Sequence, residues 1–523
     1  MQKMRIGHLS YSYFFMGATM NDQISKDIKQ NKKRFEKIFS DCADLKQIPM
    51  RLGKNQDVEA FLVYIEITLA GSTFASSMMG ELVTGLSAYD KNELVDVLAR
   101  NGLGLGDITY FQTVSDACQG MLAGELMLFV DGFDQIIKVP DRGYPSLGIQ
   151  EAESEKVIRG SKEGFADSIK TNVGLIRKRL RSLDLKNRQY RIGKRTQTNV
   201  NVLYMDGIAK MNVVDELEEK LNAFVIDGIL DSGQLSQLAE KQWLSPFPQF
   251  QSTERPDKAV HALLEGRVVL LCDNSPLALL LPTDFNSFLQ TSDDYYNRWE
   301  IASFGRLIRY IAAFFAMSLP GLYLAVIGFH ASMLPTELLL SFAQARAGIP
   351  YSSLVELLLM ELSFELLREA GVRLPGTMGN TIGIVGGLII GSAAVEAGLV
   401  SPVVVIVVAF TALCSFAIPN EEFATAFRLL KFVLIFVCAW LGFFGFLCTL
   451  LFLLLHLGSL RSLGVDYLSP FVGSDTQYES GRRDTLLRLP LSVLRLRPGY
   501  AKETNRVRFR WTQQKNGEKG ERK

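Results

Sequence analysis

The chain is poor in the residues that carry most catalytic and metal chemistry. Its 523 residues include only four histidines (His8, His261, His330, His456) and six cysteines (Cys42, Cys118, Cys272, Cys414, Cys438, Cys448). No two cysteines form CxxC, and no Cys/His cluster has ligand spacing. That argues against a disulfide framework or a zinc site and leaves buried thiols as the plain reading. No Walker A loop, HExxH or GxSxG occurs, and NGLGLGD does not make GxGxxG after a strand. No catalytic, cofactor-binding or metal-ligating residue is therefore assigned, no cofactor is expected, and the chain is not read as an enzyme. The formal charge is +1, so no global field draws the protein to one class of partner. A basic stretch, residues 159–195, holds Arg177, Lys178, Arg179 and Arg181 without aromatic interleaving. A solvated helix or a subunit contact explains it better than nucleic acid.

The even charge conceals an asymmetry. Residues up to about 300 are charged and mixed, as in a soluble α/β protein. Long apolar runs dominate from there to about 457. The end is basic, with 13 Lys/Arg against 4 Asp/Glu over residues 481–523. The first 20 residues, MQKMRIGHLSYSYFFMGATM, lack an A-x-A-like cleavage site and read as an extension rather than a secretory signal. Initiation at Met1 and at Met20 both fit.

A bilayer core needs roughly 20 apolar residues in helix. Residues 310–329, 377–395, 399–418 and 432–457 meet this, so about four spans are expected. Pro320 and Gly321 mark a hinge in the first. EAGLVSP joins the second and third as a hairpin. Arg306 and Arg309 before the first span, and Arg461 with the basic tail after the last, place both ends in the cytoplasm. Arg428 and Lys431 fit this less well, since they fall at the outer end of the fourth span.

Between the first two spans lies an amphipathic helix, residues 351–369, carrying Glu356, Glu361, Glu365 and Glu369. Carboxylates are too costly to face lipid. Two readings stand: a solvated face with a Glu365–Arg368 pair, or an acidic vestibule that concentrates cations. The second span carries Gly379, Gly383, Gly387 and Gly391, one every fourth residue. Small residues at this spacing let helix backbones approach in lipid. Packing within the chain and contact between protomers around a pore both remain open.

The soluble region repeats itself. LAGELMLFVDGFDQIIKVP (122–140) aligns without gaps on LEGRVVLLCDNSPLALLLP (264–282), at an offset of 142. LVYIEI (62–67) aligns on VLYMDG (202–207), at an offset of 140. Each copy should end in a β-hairpin, because DG and DNSP between apolar runs are turn signals. The fold class expected is an α/β soluble N-terminal region of two related subdomains followed by an α-helical transmembrane domain. The division is 1–40 an extension, 41–150 and 151–300 the two subdomains, 301–471 the membrane domain and 472–523 a basic cytoplasmic tail.

VIRGSKEGFADSIKTNVGLIRKRL, LYMDGIA, VIDGILDSGQL, LSPFPQFQSTERPDKAVHALLEGRVVLL, FHASMLPTELLLSFAQARAGIP, ELLREAGVRLP, SPVVVIVVAFTAL, FAIPN and LRSLGVDYLSPF together resemble the A subunit of the GerA-type spore germinant receptors. The match runs from about Asp41 to Phe471, with LVYIEIT departing from the pattern in the first subdomain. The resemblance implies an integral protein of the spore inner membrane. It implies a permease-like, nutrient-sensing B subunit and a lipoprotein C subunit as partners. It also implies a homo-oligomer that conducts monovalent cations when nutrient binds. Carried over by position, the glycine-bearing span and the 356–369 helix are the candidate conduction path. A non-conducting relay or scaffold, and the stage V sporulation AF type paralogue that amplifies germination, are the alternatives.

Overall fold

In the computed structural model, residues 22–68, 80, 83–99, 109–140, 143, 151–373, 387, 391–472 and 484–509 are described. They fall into two compact units. One comprises residues up to 149 together with 168–189; the other comprises 150–167 and everything from 190 onward.

The first unit is built on a five-stranded sheet. Its strands are β1 (Leu45–Leu52), β2 (Val58–Ile65), β3 (Thr109–Phe111), β4 (Glu125–Val130) and β5 (Ile136–Pro140). Their order across the sheet is β1-β2-β4-β5-β3. ELMLFV of β4 is buried along its whole length, as a central strand covered on both faces must be. On one face Phe61 and Phe129, register partners on β2 and β4, stack at 4.5 Å, and Phe35 of α1 (Ile28–Ile38) meets Phe129 edge-on at 5.0 Å. On the other face Leu62, Leu128 and Ile137 pack with Leu94 and Leu98 of α2 (Lys91–Ala99). Helix α3 (Val114–Leu122) precedes β4. Its N-cap is Thr113, whose side chain accepts from the Asp116 N–H. A later helix, α4 (Ile169–Arg179), also belongs to this unit.

The second sheet uses β6 (Leu185–Ile192), β7 (Thr198–Met205), β8 (Gln251–Thr253), β9 (Val268–Cys272) and β10 (Ala278–Leu281), in the order β6-β7-β9-β10-β8. This is the first order with every strand advanced by five. Helices α5 (Met211–Ala223), α6 (Ser232–Ala239) and α7 (Pro256–Leu264) lie between its strands, α7 standing where α3 stands in the first copy. Both anticipated hairpins form, β4 with β5 and β9 with β10, each antiparallel. Their turns place Gly132 and Asn274, equivalent at the offset of 142, in the left-handed region at φ 84° and 63°. The helix-to-strand corners match as well: Gly124 has φ 91° and Gly266 has φ 92°. A Cβ at Gly124 would lie 2.6 Å from the Thr68 carbonyl oxygen, and one at Gly266 would lie 2.8 Å from the Ala501 Cα. Only glycine fits either corner.

Long apolar helices follow in the second unit. Helix α8 is Trp299–Phe329, α9 Thr336–Ala345, α10 Ser353–Arg373, α11 Pro402–Phe416 and α12 Glu421–Ser459. Two of these, α8 and α12, are long and apolar enough to cross a membrane. Helix α11 has 15 residues, about 23 Å, so the third expected span is shorter than a bilayer core as helix. The second expected span lies mostly outside the described residues, which resume in helix at 391–396 and turn at left-handed Gly398. Ala394 then packs with Val400, Val404 and Val408.

Helix α8 continues through Pro320. Beside it Gly321 lets α8 and α12 approach closely: a Cβ there would sit 3.1 Å from Cys438 Sγ and 3.4 Å from Leu434. A non-helical residue interrupts α12, at Gly442, with φ 59° and ψ −141°. A Cβ at Gly442 would lie 2.8 Å from Phe329 Cγ, so the break lets the end of α8 press against the middle of α12.

Candidate functional site

Two of the four candidate carboxylates on α10 are fully buried. Burying a charge is tolerable only when it is paired, and here every one is. Glu356 sits beneath the start of α11: its Oε2 accepts from the Ser401 N–H at 3.0 Å, and its Oε1 accepts from Arg346 Nη2 at 3.2 Å. The carboxylate thus meets both an arginine and the positive end of a helix. Glu361 Oε2 accepts from Lys431 Nζ at 2.5 Å, with both side chains buried. Glu365 lies 3.4 Å from Lys431 Nζ and 3.4 Å from Arg428 Nη1. Arg368 reaches Glu421 at 3.6 Å and lies over the Phe416 ring. Glu369 is exposed and pairs within its own helix with Arg373.

These contacts form an antiparallel seam. As numbers rise along α10 (361, 365, 368), they fall along α12 (431, 428, 421). Three acids face three bases, so the seam carries no net charge. Glu356 and Glu361 therefore do not face water in this conformation, and the Glu365–Arg368 pair gives way to partners on α12. Arg428 and Lys431, awkward as outer charges of a span, are accounted for by the same pairing. Sequence spacing held a hint: both helices carry charges three or four residues apart inside apolar runs. Three buried atoms of the seam, Glu361 Oε1, Arg428 Nε and Arg368 Nη1, have no hydrogen-bond partner among the described residues.

Of the glycine stripe, Gly379 and Gly383 lie outside the described residues. Gly391 lies against α11, where a Cβ would meet Val405 Cγ1 at 3.7 Å. At Gly387 a Cβ would meet no described atom within 4 Å. Among the described residues the structure thus brings Gly391 to a helix of its own chain and brings nothing that near to Gly387.

A second charged centre, unforeseen in the sequence, fixes the start of α8. Arg306 is fully buried; its Nε donates to Asp294 at 2.8 Å and its Nη1 to Asp484 at 2.7 Å. Arg309 Nη1 also donates to Asp294, at 3.1 Å. Burial pushes the Asp294 carboxyl up, but the hydrogen bond from Arg309 and the charges of Arg306 and Arg309 outweigh it and hold the group below its ordinary value. In the first unit, Arg177 of the basic stretch is buried against Asp44 through two bonds, of 2.9 and 3.2 Å. It is a core anchor of that unit and not a basic surface.

Among the described residues no group of three or more His, Cys, Asp or Glu side chains could hold a metal ion. The model of the Bacillus/Clostridium GerA spore germination protein family matches residues 33–500. The chain is 36% identical over 479 residues to the "Uncharacterized membrane protein YfkQ" of Bacillus subtilis (strain 168), covering 91% of each. It is 34% identical over 485 residues to "Spore germination protein KA" of the same organism, covering 93% of this chain and 88% of that one. A search of solved structures finds the N-terminal domain of the A subunit of the Bacillus megaterium spore germinant receptor GerK3. That match has a TM-score of 0.38 at 27% identity, over 49% of this chain and 95% of the other. The protein is a member of the GerA spore germination family.

Proposed function

We propose that the protein is the A subunit of a nutrient germinant receptor in the spore inner membrane. In this reading it assembles with copies of itself and passes monovalent cations when a permease-like B subunit is occupied, with a lipoprotein C subunit in the same complex. Both chain ends lie in the cytoplasm. Family membership supports the germination role.

The membrane reading rests on one observation above all. Leu429, Val433, Phe436, Trp440, Phe444, Leu447, Leu451 and Leu455 of α12 are all exposed, at helical spacing; Trp440 reaches 82%. Leaving such side chains in water forgoes about 1.5–3 kcal/mol each. Eight of them, exposed by about half or more, forgo roughly 7–14 kcal/mol, as much as a typical domain's whole stability of about 5–15 kcal/mol. Lipid or neighbouring subunits must cover this face.

The α10–α12 seam supplies a gate of the right kind. Closed, it is neutral, and Glu361 and Lys431 are buried at its centre. Parting α10 from α12 would uncover Glu361 and Glu365 on one wall and Arg428 and Lys431 on the other, so the α10 wall would present carboxylates that the closed state hides. The test is potassium release from liposomes holding purified protein, native and Gly387→Leu. A Cβ at Gly387 meets no described atom within 4 Å, so a larger side chain there is not excluded by close backbone packing. Release that depends on Gly387 supports a pore beside that helix. No release from well-folded oligomers, with the B subunit present and nutrient added, supports the non-conducting relay.

A further inference from the structure

We propose that the segment 484–496 lies on the cytoplasmic face of the bilayer as an interfacial collar that docks on anionic lipid headgroups. The inference rests on α8 and α12 being membrane spans, the reading above.

Helix α8 itself marks the level of the lipid. Its last exposed charged side chain before Phe329 is Glu300. Ile301, Phe304, Leu307, Ile308, Ile311 and Phe314 then form its exposed stripe. Residues 301–329 make about 43 Å of helix, against about 40–45 Å for a bilayer with its headgroup layers. Trp299, exposed, stands where interfacial aromatics gather.

The C-terminal segment is tied to α8 at this level. Ser303 Oγ donates to the Arg488 carbonyl at 3.0 Å and accepts from the Arg488 N–H at 3.1 Å. Arg306 holds Asp484, as described, and Gln290 Nε2 donates to the Asp484 carbonyl at 2.8 Å. From this anchor Leu486, Leu487, Leu491, Val493 and Leu496 project with large exposure. They add exposed apolar side chains to those of α8, to which the segment is bonded at Ser303. Arg495 is exposed among them, Arg488 is buried, and the residues that follow, 497–509, add four Lys/Arg against one Glu. Exposed leucines beside an exposed arginine and a basic continuation, at the depth where a span enters the bilayer, suit a headgroup layer of negative charge.

Nitroxide labels test this in full-length protein in lipid nanodiscs. The background is Cys448→Ser, because Cys448 is the exposed thiol among the six. Labels go on Leu487→Cys and Leu491→Cys, with Phe452→Cys as the lipid control and Asp206→Cys as the water control. Collision with oxygen against a soluble nickel complex gives depth. The expected result is an interfacial depth for 487 and 491, between the two controls, and deeper in phosphatidylglycerol-containing discs than in phosphatidylcholine alone. Water-like labels at 487 and 491 with a lipid-like label at 452 overturn the collar and leave the spans standing. A water-like label at 452 overturns the spans themselves. Labels shielded from both agents show a protein cover, such as a second copy, and also overturn the proposal. Equal depth in the two lipids overturns its charge component.

Discussion

Removing Lys431 should cost far more than removing its partner, and removing both should cost less than the sum. Lys431 is shared between Glu361 at 2.5 Å and Glu365 at 3.4 Å. Lys431→Met strands Glu361, which has no other partner among the described residues and no access to water. Breaking a buried pair in this way costs about 3–5 kcal/mol. Glu361→Gln leaves Lys431 with Glu365 still in reach and removes one strong hydrogen bond, about 1–3 kcal/mol. Independent effects would sum to roughly 4–8 kcal/mol. The double variant replaces an ion pair by two neutral groups of similar size, so it should lose only about 2 kcal/mol, a coupling of at least about 2 kcal/mol. The assay is unfolding in mixed detergent–SDS micelles, followed by the fluorescence of Trp440 on the same helix in a background where Trp243, Trp299 and Trp511 are replaced by Phe. If Lys431→Met does not accumulate, the double variant should restore accumulation. A double variant as unstable as the sum of the singles would refute the reasoning, because the two groups would then not share one buried site.

The remaining predictions concern the backbone and acid. Gly442→Ala forces a left-handed residue to carry a Cβ 2.8 Å from Phe329 Cγ, so it should destabilise the α8–α12 pair by at least about 1 kcal/mol; an unchanged micelle midpoint would count against the break. Gly124→Ala and Gly266→Ala should each lower stability by similar amounts, above about 1 kcal/mol, since the two corners share a conformation; limited proteolysis of each unit would show it, and a tolerated change at either would break the equivalence. Asp294, held below its ordinary value, contributes stability that is fully present above the unfolded carboxyl value of about 3.9 and is lost as pH falls through the lower folded value. Asp294→Asn should therefore flatten the acid limb of a melting-temperature profile, and an unaltered limb would sink the assignment.

What was legible in the sequence was local or repeated. The hairpins announced themselves because their turn residues and both strands lie within 20 residues of one another. The duplication showed because equal corners need equal residues, glycine at 124 and 266 above all. The charged centres were not legible in the same way. Arg177 meets Asp44 across 133 positions, Lys431 meets Glu361 across 70, and Arg306 meets Asp484 across 178. Nothing in a local window distinguishes such a charge from a solvated one. Gly442 was hidden for a different reason: glycine is common in apolar helices, and its left-handed backbone follows from the approach of Phe329, a residue more than 100 positions away. Pro320, the conspicuous helix breaker, lies inside a helix that continues past it.

A lysine bonded to two carboxylates one helical turn apart has two addresses. Lys431 already stands within 4 Å of both Glu361 and Glu365. Sliding α10 along α12 by one turn, about 5.4 Å, would hand the lysine from one acid to the other without stranding it. The lysine is indifferent to the slide, but its neighbours are not: Glu361 would move toward buried Ile435, and Arg368 would come opposite Arg428. Charge therefore sets the resting stop together with the apolar side of α10, where Leu357 and Met360 mesh with Val404 and Val408 of α11. A ratchet of this kind moves in whole turns, and its resting tooth is the one at which every buried charge has an opposite.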